Sequence, residues 1–229
     1  MRLEDILLQI PVLLFSVVAH EYAHAEAAYR QGDTTAYMLG RLTLNPLKHI
    51  DPFMTIILPT VLILSQAPFV FGAAKPVPVN PRNYRRYVRG DIIVSLAGIA
   101  TNLALFVVSA IAFALVGMLG QAFSTPVPTI ALLQRMMFWG MYINVVLACF
   151  NLIPIPPLDG SHVVKQLLPP AAGMRYRQLY AFGIIPILLV VWLLPGVVDV
   201  FMWPGVQLLR AALMVVSPFR LVGGIPIPS

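Results

Sequence analysis

The sequence predicts an all-α polytopic membrane protein with five to six transmembrane helices and a small membrane-associated β-hairpin after the first helix. Hydrophobic residues make up 59% of the 229-residue chain and charged residues only 10%, whereas soluble domains carry about 25% charged residues. Because a membrane-crossing helix needs roughly 20 apolar residues, a long uncharged stretch is a candidate crossing. Four such stretches lack Asp, Glu, Lys and Arg altogether: 53–74, 92–134, 136–158 and 178–198.

The first crossing is predicted over residues 6–28. Its end is indicated by Glu26 and Arg30, which lie four residues apart in the order that favours an ion pair at a helix end. The uncharged run that begins at residue 92 is long enough for two crossings, because turn-forming residues at 124–129 divide it. The later crossings are therefore predicted over four segments: 92–118, 131–153, 179–195 and 198–216.

Residues 36–50 differ from these apolar helices. Leu42 and Leu44 alternate with the polar residues Thr43 and Asn45, and a period of two is typical of a strand with one buried face. We therefore expect a short strand or hairpin here. One hypothesis is that its edge, from Leu42 to Leu44, pairs with an extended substrate segment.

The basic residues predict which side of the membrane each loop faces. Loop 30–48 carries three, loop 75–89 five and loop 165–177 three, whereas the connection 119–130 carries none. Because basic loops stay in the cytoplasm, all three share one side if segment 53–71 enters and leaves on the same face. We expect five full crossings plus this re-entrant or peripheral segment, with the N-terminus outside and the C-terminus inside; six crossings is the alternative.

The net charge of +6 does not indicate a nucleic-acid partner. The basic residues fall between apolar segments and form no single patch, which is the pattern of a topology signal. Cys149 is the only cysteine, which excludes an intrachain disulfide. The expected surroundings of the chain are therefore a lipid bilayer.

A metal-binding motif lies within the first predicted crossing. His20, Glu21 and His24 form the pattern His-Glu-x-x-His. On a helix the two histidines share a face and reach one metal ion, and the glutamate follows the first ligand as the general base of a metalloprotease does. Ionisable groups at membrane depth are costly, which makes them a functional-site hypothesis.

A catalytic zinc usually takes three protein ligands and leaves one position for water. Asp159 is favoured as the third, because it follows the uncharged run 136–158 and three prolines there break the helix. Gly160 is expected to permit a tight turn that faces the carboxylate inward. The spacing equally allows Asp159 to cap a helix that starts near Ser161. The full set of candidates for the third ligand is Asp159, Glu26, His49 and His162, of which the two histidines are also typical of interfacial positions.

The His-Glu-x-x-His motif and the pattern Asn-x-x-Pro-x-x-x-Leu-Asp-Gly at 151–160 together resemble the site-2 protease family of intramembrane zinc metalloproteases. The resemblance covers residues 15–165 and corresponds to a compact form without a PDZ domain. Ile99 stands where the family usually has proline. Three further segments carry the resemblance: 40–46, 71–80 and 95–102.

The resemblance implies one Zn²⁺ per chain on His20, His24 and Asp159, with Glu21 as general base. It also implies that Asn102 donates to the oxyanion or positions substrate, and that Asn151 helps to hold the substrate. As bare polar residues in apolar helices, both asparagines also fit helix–helix hydrogen bonding.

The expected protein is a single integral membrane metalloprotease domain over 1–229, with a catalytic core at 6–165 and C-terminal helices at 176–217. The resemblance implies an endopeptidase that cuts in or near the transmembrane segment of a single-pass membrane protein, on the cytoplasmic side of the cell or inner membrane. The substrate helix must unwind locally, because its carbonyl groups are held in its own hydrogen bonds. The alternatives are a metal-binding membrane transporter and a catalytically inactive membrane adaptor of the same fold.

Overall fold

The structure is a computed structural model that describes residues 3–51, 57, 61, 75–122 and 128–221. The α-helices are α1 Leu3–Gln31, α2 Thr35–Met38, α3 Tyr87–Ala122, α4 Pro128–Asn151, α5 Asp159–Leu167, α6 Pro170–Gln178, α7 Ile185–Leu193 and α8 Pro195–Val216. Short 3₁₀ helices lie at Pro46–Lys48, Pro81–Asn83, Leu179–Phe182 and Ser217–Phe219.

Within the described residues, four helical segments are long and apolar enough to cross a membrane: Leu7–Gln31, Tyr87–Ala122, Pro128–Asn151 and Gly196–Phe219. A fifth crossing arises if the bent pair Pro170–Phe182 and Ile185–Leu193 is one span. These helices confirm the predicted all-α multi-pass membrane protein. The predicted re-entrant segment 53–71 lies outside the described residues apart from Ile57 and Val61.

The crossing predicted over 179–195 does not form one straight helix. A 3₁₀ turn ends at Gly183, whose φ of +55° lies in the left-handed region that favours glycine. Helix α7 then begins with Pro186 in its first turn, and the two parts of the pair are bent by 91°. Gly183 and Pro186 together therefore break this apolar segment.

The predicted β-hairpin at 36–50 is not confirmed, because this fully described stretch contains helix α2 and a 3₁₀ turn and no strand. Local hydrogen bonds account for the difference. The Asn45 side chain accepts from the Leu47 amide, and the Thr43 hydroxyl accepts from the Asn45 amide. Such side-chain bonds to the backbone compete with strand pairing, so alternation of apolar and polar residues was an insufficient signal here.

The chain divides into two compact units. The larger unit contains Met1–Ser16 and Ile99–Ser229, and the smaller unit is Val17–Gly98. In the larger unit, α4 and α8 pack closely at Gly205. A Cβ at this position would lie 2.6 Å from the Cys149 sulfur, so the absence of a side chain allows the close approach. Small residues allow this close approach of membrane helices. Buried apolar side chains surround the contact, among them Phe106, Phe113, Phe138, Met141 and Leu209.

Small apolar residues and the buried carboxylate of Asp33 hold the smaller unit together. Ala25 packs with Ala36 and Val77. Asp33 is fully buried just after α1 and accepts hydrogen bonds from the Asn80 amide and the Asn83 side chain. These bonds attach the end of α1 to the segment that leads into α3.

Candidate active site

Two imidazoles on α1 face each other. The Nε2 atoms of His20 and His24 lie 2.9 Å apart, and their rings meet edge to face at 81°. The helical spacing of four residues places both side chains on one face, as the sequence predicts. The two nitrogens can therefore ligate a single metal ion.

The backbone of α3 determines which nitrogen His24 offers. Its Nδ1 lies 2.7 Å from the Val94 carbonyl oxygen, and a carbonyl only accepts, so Nδ1 carries the proton. The Nε2 atom of His24 therefore keeps its lone pair toward His20. A metal-ligating histidine characteristically donates its other ring N–H in this way.

Gly98 leaves the space that the two imidazoles occupy. A Cβ at this position would lie 2.5 Å from both the His20 Cε1 and the His24 Nε2 atom. Real Cβ atoms do not approach so closely, so only glycine fits while the rings keep their places. Gly98 belongs to the 95–102 segment that resembles the site-2 protease family, and the structure gives a reason for its presence.

Glu21 extends from α1 next to the histidines and is half-buried. Its Oε2 atom accepts a hydrogen bond of 2.7 Å from the Val77 backbone amide. The contact joins residues 56 positions apart, so no local sequence pattern predicts it. It fixes the position of one carboxylate oxygen of Glu21.

The larger unit places Asp159 at the first position of α5, after the proline-rich loop. The cap residue is Leu158, with no side-chain hydrogen bond to the helix. The structure therefore places Leu158, and not Asp159, at the N-cap position of this helix.

Gly160 acts differently from the prediction of a tight turn. It is helical, and a Cβ there would overlap the Leu152 carbonyl oxygen. The absence of a side chain at Gly160 therefore allows α5 to lie close to the end of α4. The glycine is not needed here for a left-handed backbone conformation.

Hydroxyl groups hold the loop that precedes Asp159. The Tyr176 hydroxyl donates to the Pro154 carbonyl at 2.7 Å. The Ser161 hydroxyl donates to the Leu158 carbonyl, so its oxygen accepts from the Tyr180 hydroxyl at 2.6 Å. The two tyrosines lie beyond the motif region, and no pattern in the sequence indicates their contacts.

The other candidates for a third ligand have different contacts. Glu26 pairs with Arg30 at 2.8 Å, as the sequence predicts. His49 is only 1% exposed, and its Nε2 donates to the Thr43 carbonyl. His162 packs edge-on against the Tyr180 ring.

The two candidate asparagines both lie in the larger unit. Asn102 is fully buried, and its amide nitrogen donates to the Asn144 side chain at 2.9 Å. Asn144 in turn donates to the Ser16 hydroxyl. This buried network matches the helix–helix alternative for Asn102. The Asn151 side chain donates to the Leu147 carbonyl of its own helix.

The donor set of the smaller unit fits a zinc ion. Zinc is bound by neutral imidazole nitrogens, and the bond from His24 to Val94 leaves such a nitrogen on the side of His20. Glu21 lies one residue from the first imidazole, where a carboxylate can act on a reacting water.

The chain is similar in sequence to known proteins. The model of peptidase family M50 matches residues 9–194. The chain is 38% identical to the "Putative zinc metalloprotease YwhC" of Bacillus subtilis over 84% of its own length and 82% of that protein. It is 34% identical to the "Putative zinc metalloprotease Rip2" of Mycolicibacterium smegmatis over 77% of its length, and the match spans 64% of that relative. No solved structure matches the chain. The chain therefore belongs to peptidase family M50, the zinc-dependent site-2 proteases.

Proposed function

We propose that the protein is an intramembrane zinc endopeptidase that hydrolyses a peptide bond in or near the transmembrane segment of a single-pass membrane protein. The observation that carries the proposal is the pair of facing imidazoles on a membrane-crossing helix, with Glu21 beside the first. Ionisable groups in an apolar membrane helix cost free energy, and they therefore indicate a functional site. Membership of family M50 supports the same chemistry.

One zinc per chain is held by His20, His24 and Asp159. The resemblance supplies the third ligand, which lies at the first position of α5. A bound zinc would polarise the scissile carbonyl and make water a nucleophile near neutral pH. Three protein ligands leave a coordination position for that water.

The chain's own groups then act on the proton and the substrate. Glu21 takes a proton from the attacking water and passes it to the leaving amine. Asn102 stabilises the developing negative charge on the carbonyl oxygen or positions the substrate. Asn151 holds the substrate near the site.

The substrate helix must unwind before a carbonyl becomes accessible, because a helix in lipid keeps its backbone bonded internally. The basic loops support an active site toward the cytoplasmic side of the cell or inner membrane. The cleavage would then serve regulated intramembrane proteolysis.

The direct test compares wild type with Glu21→Gln in lipid vesicles that contain a single-pass membrane protein as substrate. We expect the variant to keep zinc and lose cleavage. A metal transporter would instead move zinc across the vesicle membrane in both proteins, and an inactive adaptor would cut nothing even as wild type. Unchanged cleavage by Glu21→Gln would refute the assigned base.

A further inference from the structure

Residues 75–80 form a segment that contacts α1 through Glu21. Its sequence is Lys-Pro-Val-Pro-Val-Asn, and it has no helix or strand assignment. Pro76 and Pro78 lack backbone N–H groups, so the Val77 amide is the one donor between them. That donor is the group that binds Glu21. The two prolines therefore present a single N–H at one defined place.

Three further contacts hold this segment at both ends. The Lys75 amide donates to the His49 carbonyl at 2.8 Å. The Arg41 guanidinium donates to the Lys75 carbonyl at 3.0 Å. At the other end the Asn80 amide donates to the Asp33 carboxylate at 2.6 Å. The segment is thus anchored on either side of Val77.

The packing of Val77 agrees with a fixed position. Its side chain is 7% exposed and packs with Ala25 and Ala36. A residue before proline is restricted to extended conformations, which applies to Lys75 and Val77 alike. The amide therefore has little freedom to move away from the carboxylate.

We infer that the Val77 backbone amide positions the catalytic carboxylate of Glu21, and that the Pro-Val-Pro sequence and its anchors Arg41 and Asp33 exist to hold that amide in place. The inference rests on the proposed function, because it assigns a purpose to the contact only if Glu21 is the base. The bond occupies Oε2 and directs Oε1 toward the reacting water. A free glutamate side chain would sample several rotamers, and few of them would reach that water.

The contact is separate from the groups that position the imidazoles. His24 is oriented by the Val94 carbonyl, and both rings pack on Gly98. Loss of the Val77 N–H should therefore slow turnover without loss of zinc. A merely structural role would change zinc content, substrate KM and thermal stability together.

The sharpest test replaces only the donor. α-Hydroxyisovaleric acid incorporated at position 77 by nonsense suppression turns the amide between Pro76 and Val77 into an ester and deletes the N–H. The reference is the same suppression with valine. We expect kcat to fall about 10- to 100-fold, as for loss of a hydrogen bond to a charged group, with KM and zinc content kept.

A genetically simpler pair gives the same comparison. Val77→Pro removes the donor, and Val77→Ala keeps it while it shortens the side chain. We expect kcat of the proline variant to be at least about tenfold below that of the alanine variant, at equal zinc content.

An ester variant with the kcat of the valine reference would overturn the inference and leave the proposed function intact. Loss of zinc in the ester variant would also overturn it, because the contact would then support the metal site. Cleavage by Glu21→Gln at the wild-type rate would overturn the proposed base, and this inference with it. The ester and glutamine variants thus separate the two failures.

Discussion

Gly98 packs directly on His24, and a single added carbon at position 98 would lie 2.5 Å from the Nε2 atom that faces His20. The helix whose Val94 carbonyl accepts a hydrogen bond from His24 thus also limits where the ring can lie. Val94 sets the orientation of the His24 ring and Gly98 sets the space for it, and these two residues lie four positions apart on α3.

Gly98→Ala should weaken zinc binding without unfolding the protein. The added methyl group must displace the imidazoles, which are side-chain ends and move more easily than the backbone. We expect about a 10- to 100-fold loss of zinc affinity, the range seen when supporting groups of metal ligands are changed. Competition with a zinc chelator on detergent-purified protein measures it.

Gly196→Ala is the matched control, because a Cβ at position 196 meets nothing within 4 Å. It should bind zinc as wild type does. Equal affinity of Gly98→Ala and Gly196→Ala would show that the rings rearrange freely and that Gly98 does not define the site.

Tyr176→Phe should reduce zinc affinity through the loop that carries Asp159. The change removes the hydroxyl that donates to the Pro154 carbonyl, so that carbonyl loses its hydrogen bond from the tyrosine. A lost hydrogen bond of this kind costs about 1 kcal/mol, which corresponds to roughly a fivefold effect if it acts fully on the ligand's position. Chelator competition detects this difference.

The control for this change is Tyr37→Phe, since Tyr37 is 61% exposed. It should leave zinc affinity at the wild-type value. A Tyr176→Phe protein with wild-type affinity and reduced thermal stability would assign the tyrosine to folding alone.

Asp33→Asn should destabilise the protein at neutral pH and reduce its acid sensitivity. Burial alone raises the pKa of Asp33, but hydrogen bonds from Asn80, Thr35 and Asn83 together lower the pKa below its ordinary value of 3.8. A depressed folded-state pKa stabilises the fold at pH values above the unfolded pKa. That contribution is lost as the pH falls through the folded-state pKa.

Thermal unfolding in detergent between pH 3 and pH 7, on the order of one scan per pH unit, checks this prediction. Wild type should lose more stability than Asp33→Asn as the pH falls below about 4. The exposed Asp199 provides Asp199→Asn as a control that should follow the wild-type curve. Parallel curves for wild type and Asp33→Asn would contradict the assigned role of the carboxylate.

The helices and the two histidines could be predicted from sequence because both depend on short-range regularities. Uncharged length indicates a crossing, and a spacing of four residues places His20 and His24 together. The hairpin prediction is not confirmed, because two local patterns conflict at this place. Thr43 and Asn45 alternate with leucines, yet their side chains bond to nearby backbone amides.

The remaining features depend on contacts between distant residues. Val77 reaches Glu21 across 56 positions and Tyr176 reaches Pro154 across 22. Neither contact leaves a periodic pattern. The Pro-Val-Pro sequence was the available signal for the first, since it isolates one backbone donor, but its target is visible only in the folded chain.

The zinc content of detergent-purified wild type beside Asp159→Ala decides whether Asp159 completes the zinc site. We predict about one zinc per wild-type chain, as expected for three protein ligands, and lost or clearly weakened binding in the variant. No zinc in wild type, or full retention by Asp159→Ala, would contradict the account.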